Sequence, residues 1–451
     1  AVFHYHPFWH VLEVLHELPP DLWQRLRDQL PPGAALVGLT LFLWRTAWKY
    51  VEVSFNAVQR DTGHAIASLA FAGLAANARV SLLEGPGDGA VAALLGLHPE
   101  EGPDAQQPQA LLVAAPGPAD PGRPELHLPE EASWRNPAAC RGPLPPCCAH
   151  ALRATWKPPR QLQEDADLWR ASAIPREPGT PRWSIDGAPW SPEALQRIIC
   201  RRRSVLAFDK GASLGLGDFL ASLVPAMPSE EPLTALLPFA RPLVPVLLLL
   251  VHRVRGLERG IYALVRDPGR LAHWRAALGQ GCLWRPVEAA VEWRPVLPLY
   301  LLRQGDVCRL AQQAALGQPV AADAAACVVF LAEWGPALER YGAWLYRRLL
   351  WEAGVVGQAL HMGAEASGFG GCGLGAFFSD WSHEALGVHS EQLQAVYLFA
   401  LGVAADDDGE GSRLSRLKER PAYWHLSKWR GCRGRDAVDT RWAQWGRFPD
   451  S

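Results

Sequence analysis

The stretch Glu339 to Phe378, ERYGAWLYRRLLWEAGVVGQALHMGAEASGFGGCGLGAFF, decides how the rest of the chain is read. Leu345, Leu349, Ala353, Val356 and Leu360 recur at steps of three and four, the period of one helix face, with Glu352, Gln358 and Glu365 as polar interruptions. The spacing predicts one long helix that ends at Gly368. From Gly368 to Gly375 glycine stands at nearly every other position, so the backbone is expected to turn sharply there and to approach a flat or phosphorylated ligand closely. Leu374 to Phe378 reads as a strand or extended edge.

At 451 residues, 49% hydrophobic and 20% charged, the chain is globular and can bury two ordinary cores or one large one. Lys+Arg 44 against Asp+Glu 46 leaves a formal charge of -2, which gives no global field for nucleic acid or an anionic membrane, and neither is an expected partner. The nine cysteines include no CxxC pair, the nearest cluster being Cys147 and Cys148, so no metal site is expected and reduced thiols in a cytoplasm-like compartment fit the count. The longest apolar run, Leu243 to Val251, falls short of the roughly 20 residues of a membrane helix and reads as a buried strand. The start at Ala1 shows no charged segment ahead of an apolar one, so no signal peptide is expected, and a portion upstream is compatible with the sequence.

Near the start, His4, His6, His10 and His16 lie among Trp9, Leu12, Val14 and Leu15. They suggest a metal site at first sight, but no carboxylate or cysteine completes a ligand set at fixed spacing, and a surface helix with scattered imidazoles is the expectation. An apolar run from Ala35 to Leu43 reads as a strand. The segment after it matches the opening stretch without a gap at one offset, 341 - 50 = 291. Tyr50 falls on Tyr341, Phe55 on Tyr346, Asp61 on Glu352, Gly63 on Gly354, Leu69 on Leu360, and Leu95-Gly96 on Leu386-Gly387. Two unrelated amphipathic helices would drift in register between these landmarks, so an internal duplication is the natural explanation. Asn77-Ala78-Arg79 stands where the second copy has its glycine turn, and the first copy is expected to have lost that half of the site. The expected organisation is a truncated repeat over 1–97, a Pro/Gly-rich connection over 98–192 with Leu111 to Ala114 as its one clear strand, a second domain over 193–404, and a charged, Trp-containing tail over 405–451.

Taken in order, Tyr341-Gly342, Tyr346-Arg347, Glu352-Ala353-Gly354 and the turn ending in Gly373-Leu374-Gly375-Ala376-Phe377 resemble the nitroreductase-like flavoprotein family, in particular its SagB-type dehydrogenase and azoline-oxidase branch. A second landmark of the resemblance is Arg201-Arg202-Arg203-Ser204 with Phe208-Asp209 following. Guanidinium groups fork onto phosphate oxygens and a hydroxyl adds a donor, as an FMN phosphate and the pyrimidine edge of a flavin require. A solvated basic cluster at a helix end is the other reading of the same residues. Two departures stand out: Leu206 occupies the position where the family carries a second basic residue aimed at the charge that develops on reduced flavin, and the family's serine-glycine turn is gone from Leu237 to Pro245. The strand at Val246 to Val251 and the Gly260-Ile261-Tyr262 hairpin are retained.

The resemblance implies an α+β, tandem nitroreductase-like fold that closes on itself as an intrachain pseudo-dimer, with FMN between its halves. Arg202, Arg203, Ser204, Gly373, Leu374 and Gly375 would hold the cofactor, and the first copy would supply the opposite wall. It further implies a lysine-tyrosine pair for proton removal. Lys49-Tyr50 fits, whereas the second copy has Arg340 beside Tyr341, and arginine is a poor proton acceptor; a structural aromatic at a helix start is the alternative for both tyrosines. The expected activity is that of an FMN-dependent oxidoreductase acting on a small-molecule or peptide heterocycle, with a further homodimer open to it. A general NAD(P)H nitroreductase and a flavin-free pseudoenzyme serving as a scaffold are the other two readings.

Overall fold

The structure, a computed structural model, describes residues 1–7, 9–50, 53–83, 87–97, 106–117, 190–228, 232–236, 242–278, 281–293, 296–342, 344–377 and 392–405. Most of the expected connection, the Leu386-Gly387 landmark, residues 237–241 and the tail from 406 onward lie outside them.

The chain opens with an antiparallel ribbon, β1 (Val2–His6) and β2 (Val11–His16), and then α1 (Pro20–Asp28). The surface helix expected for the four histidines is therefore a hairpin, and His4 meets Glu13 across it at 3.1 Å. Aromatic and β-branched residues such as Phe3, Tyr5 and Val14, all exposed, favour the extended backbone here over the helical one. The first half continues through β3 (Ala35–Phe42), α2 (Trp44–Tyr50), α3 (Ser54–Ala75), β4 (Ala78–Leu82), α4 (Asp88–Leu94) and β5 (Gln106–Pro116). β5 lies between β3 and β4 and is antiparallel to both. The strand read at Leu111 to Ala114 is thus the middle of a sheet, and the first half takes in residues beyond 97.

The second half runs α5 (Pro192–Arg201), α6 (Leu216–Leu223), α7 (Leu233–Leu236), β6 (Val246–Val251), β7 (Gly260–Val265), α8 (Leu271–Ala277), β8 (Arg285–Pro286), β9 (Leu299–Gln304), α9 (Cys308–Ala314), α10 (Pro319–Asp323), β10 (Ala326–Glu333), α11 (Gly335–Tyr341), α12 (Leu345–Ala366), β11 (Gly370–Leu374) and β12 (Leu393–Gly402). Its sheet has the order β11-β12-β10-β6-β7-β9-β8. Leu247, Leu249 and Val251 of β6 enter the core shared with α3 and α12, while Val246, Leu248 and Leu250 enter a second core on the other face. A strand covered on both faces needs no polar side, which is why Val246 to Val251 is one unbroken apolar run.

Two features of the first half recur in the second. Ala35–Phe42 and Ala326–Glu333 differ by 291 at both ends, and so do Ser54–Ala75 and Leu345–Ala366. The small-sheet order β3-β5-β4 also has the same sequence of partners as β10-β12-β11.

α3 and α12 pack along each other in the same direction. Phe55 stacks on Tyr346 at 5.9 Å between ring centroids, Trp351 donates to Gln59 at 2.7 Å, and His64 meets Gln358 at 3.1 Å, so the contacts advance together along both helices. At their closest approach Gly63 faces Gly354. A Cβ on Gly63 would fall on the Trp351 carbonyl and one on Gly354 on the Arg60 carbonyl, so only glycine lets the two backbones come this near. Arg347 of α12 adds a two-pronged ion pair to Asp88 of α4, at 2.7 and 3.0 Å. The Glu352 carboxylate is buried, accepts from the Leu243 and Val244 N–H groups at 2.8 and 3.1 Å, and pairs with the buried Arg266 guanidinium at 2.8 Å.

As the spacing predicts, α12 stops at Ala366 and the chain turns at Gly368 with φ +82°. The glycine run that follows is an edge strand, β11, rather than a turn. Among the described residues no helix is long and apolar enough to cross a membrane, no group of histidine, cysteine and carboxylate side chains could hold a metal ion, and the described cysteines are free thiols.

Candidate functional site

A cavity of about 480 Å³ lies along one side of the α3–α12 pair. Three of the residues expected to hold a cofactor come together there: Arg202, Ser204 and Gly373. The reason is local. α5 ends at Arg201, Arg202 takes an extended conformation after it, and Ser204 then bridges to Gly371 while the Val205 N–H donates to the Gly371 carbonyl at 3.0 Å. The arginine-serine segment thereby becomes the outer neighbour of β11. Arg202 is half-buried, and no carboxylate lies within ion-pair distance of it among the described residues. Burial, together with the charge of Arg203, lowers its pKa from the usual arginine value.

The other expected cofactor residues stand apart from the cavity wall. Arg203 is exposed and folds back to donate to the Cys200 and Arg202 carbonyls at 2.9 and 2.8 Å. Leu374 is buried in the core on the far face of the sheet. The Gly375 carbonyl accepts from Arg60 at 2.9 Å. Of the expected catalytic residues, Tyr50 and Tyr341 are not among those lining the cavity. Lys49 and Tyr50 lie in α2, where Tyr50 is 44% exposed and the Lys49 side chain is outside the described residues. Tyr341 ends α11 and packs against the main core.

The first half supplies the opposite wall through Asp61, His64, Ala65, Ser68 and Phe71 of α3. The second half adds Gln358, His361 and Met362 of α12 and Tyr397 of β12. Asp61, His64 and Ser68 sit at steps of three and four, so they share one face of the helix, and this spacing was the available sequence signal for them. Gln358 was visible as a polar interruption, whereas Tyr397 reads as an ordinary core residue of a strand.

His64 is the centre of a hydrogen-bonded chain, with Nδ1 3.1 Å from the Gln358 side-chain oxygen and Nε2 2.9 Å from the Tyr397 hydroxyl. Burial pushes the His64 imidazole down to about 4, against the Gln358 hydrogen bond and helped by the charges of Arg202 and Arg60. Burial likewise holds His361 well below the usual histidine value, with His64 and Arg202 adding to it. The Tyr397 phenol is held well above its usual value by burial, opposed by Arg60, and burial raises the Asp61 carboxyl, which opens onto the cavity. At neutral pH the wall therefore presents uncharged imidazoles, an uncharged phenol, the Arg202 cation and the Asp61 carboxyl. The buried Nδ1 of His361 has no hydrogen-bond partner among the described residues.

The glycines of β11 have an internal explanation. Added Cβ atoms on Gly370, Gly371 and Gly373 would meet the Val205 side chain, the Phe399 ring at 2.6 Å and the Tyr397 hydroxyl. The missing side chains make room for aromatic residues of the neighbouring strand, and the sharp ligand-hugging turn expected from the sequence is absent. Leu206, the position of the missing basic residue, is 73% exposed.

Residues 281–403 match the Nitroreductase family. A nitroreductase-type protein of solved structure from Anabaena variabilis has the same fold, at a TM-score of 0.63 and 21% identity, over 89% of this chain and 77% of that one. Another, from Ralstonia eutropha, matches 51% of this chain and 89% of its own at 18% identity and a TM-score of 0.33. The Escherichia coli microcin synthetase McbBCD complex with truncated pro-MccB17 matches 52% of this chain and 77% of its own at 14% identity and a TM-score of 0.33. No curated protein matches the sequence. The second half thus carries a nitroreductase-family domain, and the fold is of nitroreductase type.

Proposed function

We propose that the chain is an FMN-dependent oxidoreductase whose two halves form an intrachain pseudo-dimer with one flavin site in the cavity along α3 and α12. The observation that carries this reading is the convergence of Arg202, Ser204 and Gly373 from the second half with Asp61, His64 and Ser68 from the first on one cavity. The shared 291-residue spacing of β3 and α3 with β10 and α12 supports a duplicated origin for the two walls. So does the Anabaena protein, a single chain that aligns over both halves.

The residues fit the group. At about 480 Å³ the cavity lies within the roughly 300–1,000 Å³ of cofactor and ligand pockets. The Arg202 guanidinium, with no carboxylate at ion-pair distance among the described residues, suits a phosphate. Phe71, Ile199 and Met362 give the apolar wall that a flat ring requires, and Phe71 is held in place by stacking on Trp190 at 5.3 Å. Bound FMN would supply the two-electron chemistry; the chain supplies binding, orientation and control of protons. Within this class we favour the SagB-type reading, with a small ring or peptide heterocycle as substrate, in a protein acting without a membrane or nucleic-acid partner and in a cytoplasm-like compartment.

One observation favours a second reading, a flavin-free scaffold. Leu206 offers no charge where the family sets a cation, and the Tyr397 hydroxyl covers the Gly373 backbone. Titrating FMN into flavin-stripped protein while following FMN fluorescence separates the two. Saturable quenching that weakens in Arg202→Ala is the expected result, and FMN that stays free at every protein concentration leaves the scaffold.

A further inference from the structure

Tyr397 occupies a place that two glycines keep open. The space above Gly373 holds its hydroxyl, and a Cβ on Gly357 would lie 2.8 Å from its ring and 3.0 Å from the His64 ring. The hydroxyl is 2.9 Å from His64 Nε2, and Gln358 anchors the far side of the imidazole at 3.1 Å. Behind the phenol, the Arg60 guanidinium lies 5.3 Å from the ring centroid and donates to the Val396 and Gly375 carbonyls at 3.0 and 2.9 Å. Arg60 is buried and has no carboxylate at ion-pair distance among the described residues. A buried cation without a carboxylate at ion-pair distance is costly, and Arg60 sits among the Tyr397 and Phe377 rings with the Tyr346 phenol and Asp61 acting on its charge.

We propose that Tyr397 is the proton donor of the cavity, and that His64 and Arg60 are positioning residues that hold the charge left on its oxygen. The assignment rests on the flavin reading above and names a group in the cavity wall, where Tyr50 and Tyr341 do not lie. The imidazole serves both states of the phenol. With its hydrogen on Nδ1 it accepts from the phenol O–H. With its hydrogen on Nε2, and the Gln358 amide turned, it donates to the oxygen and frees the phenol hydrogen for a ligand. The remaining titratable groups facing this trio are Asp61 from α3, Arg202 after α5, Tyr346 and His361 from α12 and Cys372 from β11.

Protons and electrons balance for an acceptor such as a quinone. With two electrons and one proton supplied by a bound reduced flavin, the acceptor's second oxygen would take a proton from Tyr397. The phenolate, held by His64 Nε2–H and the Arg60 charge, then regains a proton from solvent. Burial holds this phenol above its usual value, so its proton would leave only as charge develops on the acceptor oxygen, and an acid so positioned contributes typically about 100-fold.

The test uses the full chain loaded with FMN, reduced by light and EDTA, and reoxidised by p-benzoquinone in H2O and D2O. Tyr397→Phe is expected to keep its FMN affinity while reoxidising about 100-fold more slowly and losing the solvent isotope effect. His64→Gln is expected to slow the same step with the isotope effect retained. Histidine ¹⁵N NMR of the flavin-free protein gives a readout without the cofactor: the His64 resonances should be those of a neutral ring hydrogen-bonded through Nε2, and should shift in Tyr397→Phe. Wild-type reoxidation with an intact isotope effect in FMN-loaded Tyr397→Phe would overturn the proton-donor assignment and leave the flavin reading standing. A wild-type chain that binds no FMN would overturn both.

Discussion

On the flavin reading, Arg202 is the residue on which ligand binding turns. Its guanidinium is half-buried just after α5, with no carboxylate at ion-pair distance among the described residues and only the more remote Glu365 charge acting on it, so a bound phosphate would be its counter-ion. Hydrogen bonds to charged groups contribute about 1.5–3 kcal/mol, so Arg202→Ala should weaken FMN binding roughly 10- to 100-fold without changing the unfolding midpoint of the free protein. Calorimetric titration of both proteins checks this. Arg202, Ser204 and Gly373 were legible in the sequence because an arginine-serine pair and a glycine run are rare patterns in a fixed order. The rest of the wall was not. Tyr397 and His361 become part of a site only through burial and the closeness of other elements, which no local pattern encodes. The glycine run misleads for the same reason: the space it leaves is filled by Tyr397, Phe399 and Val205, each distant from it in sequence.

At the scale of elements, the parallel pair α3 and α12 positions the site, and glycine sets its spacing. In an isolated helix, replacing glycine with alanine stabilises by about 1 kcal/mol. At Gly354 the added Cβ would lie 2.9 Å from the Gly63 Cα and closer still to the Arg60 carbonyl, and overpacking of this kind costs about 1–3 kcal/mol. Backbone cannot swing aside as a side chain can, so the clash should win. Gly354→Ala is expected to lower the urea midpoint and to weaken FMN binding as the helices part. An unchanged midpoint would mean that the helices are not in close contact there. Glu352 ties α12 to the start of β6. Its replacement by glutamine strands the buried Arg266, and a loss of about 3–5 kcal/mol in urea unfolding is expected. α12 was legible from its period, and the 291 offset carries its bounds onto those of α3. The N-terminal ribbon was misread because its alternation is short and histidine favours neither state strongly.

For the whole molecule, burial of uncharged histidines has a consequence in acid. His64 and His252 are each lowered to about 4, against about 6.5 in an unfolded chain. Below about pH 6.5 the unfolded chain takes up protons that the folded one cannot, so stability is full above that pH and falls as pH drops toward 4. Each histidine accounts for about 3 kcal/mol across that window. The raised Asp61 carboxyl acts with opposite sign over the carboxylate range and only softens the fall. Urea midpoints at stepped pH should show a steep acid limb that is shallower in His64→Gln. A flat profile would show that these imidazoles are open to water.

The same scale bears on the stoichiometry of the proposed flavin site. At the 291 offset, Asp61, His64 and Ser68 correspond to Glu352, Val355 and Ala359, which are buried. Among the described residues these positions give a second cavity no polar wall. The decisive measurement is an absorbance spectrum of the purified chain from 300 to 550 nm, before and after heat release of bound ligand. The account predicts a released FMN spectrum at one equivalent per chain. Two equivalents would contradict the single site, and a colourless protein that also takes up no added FMN would contradict the flavin reading itself.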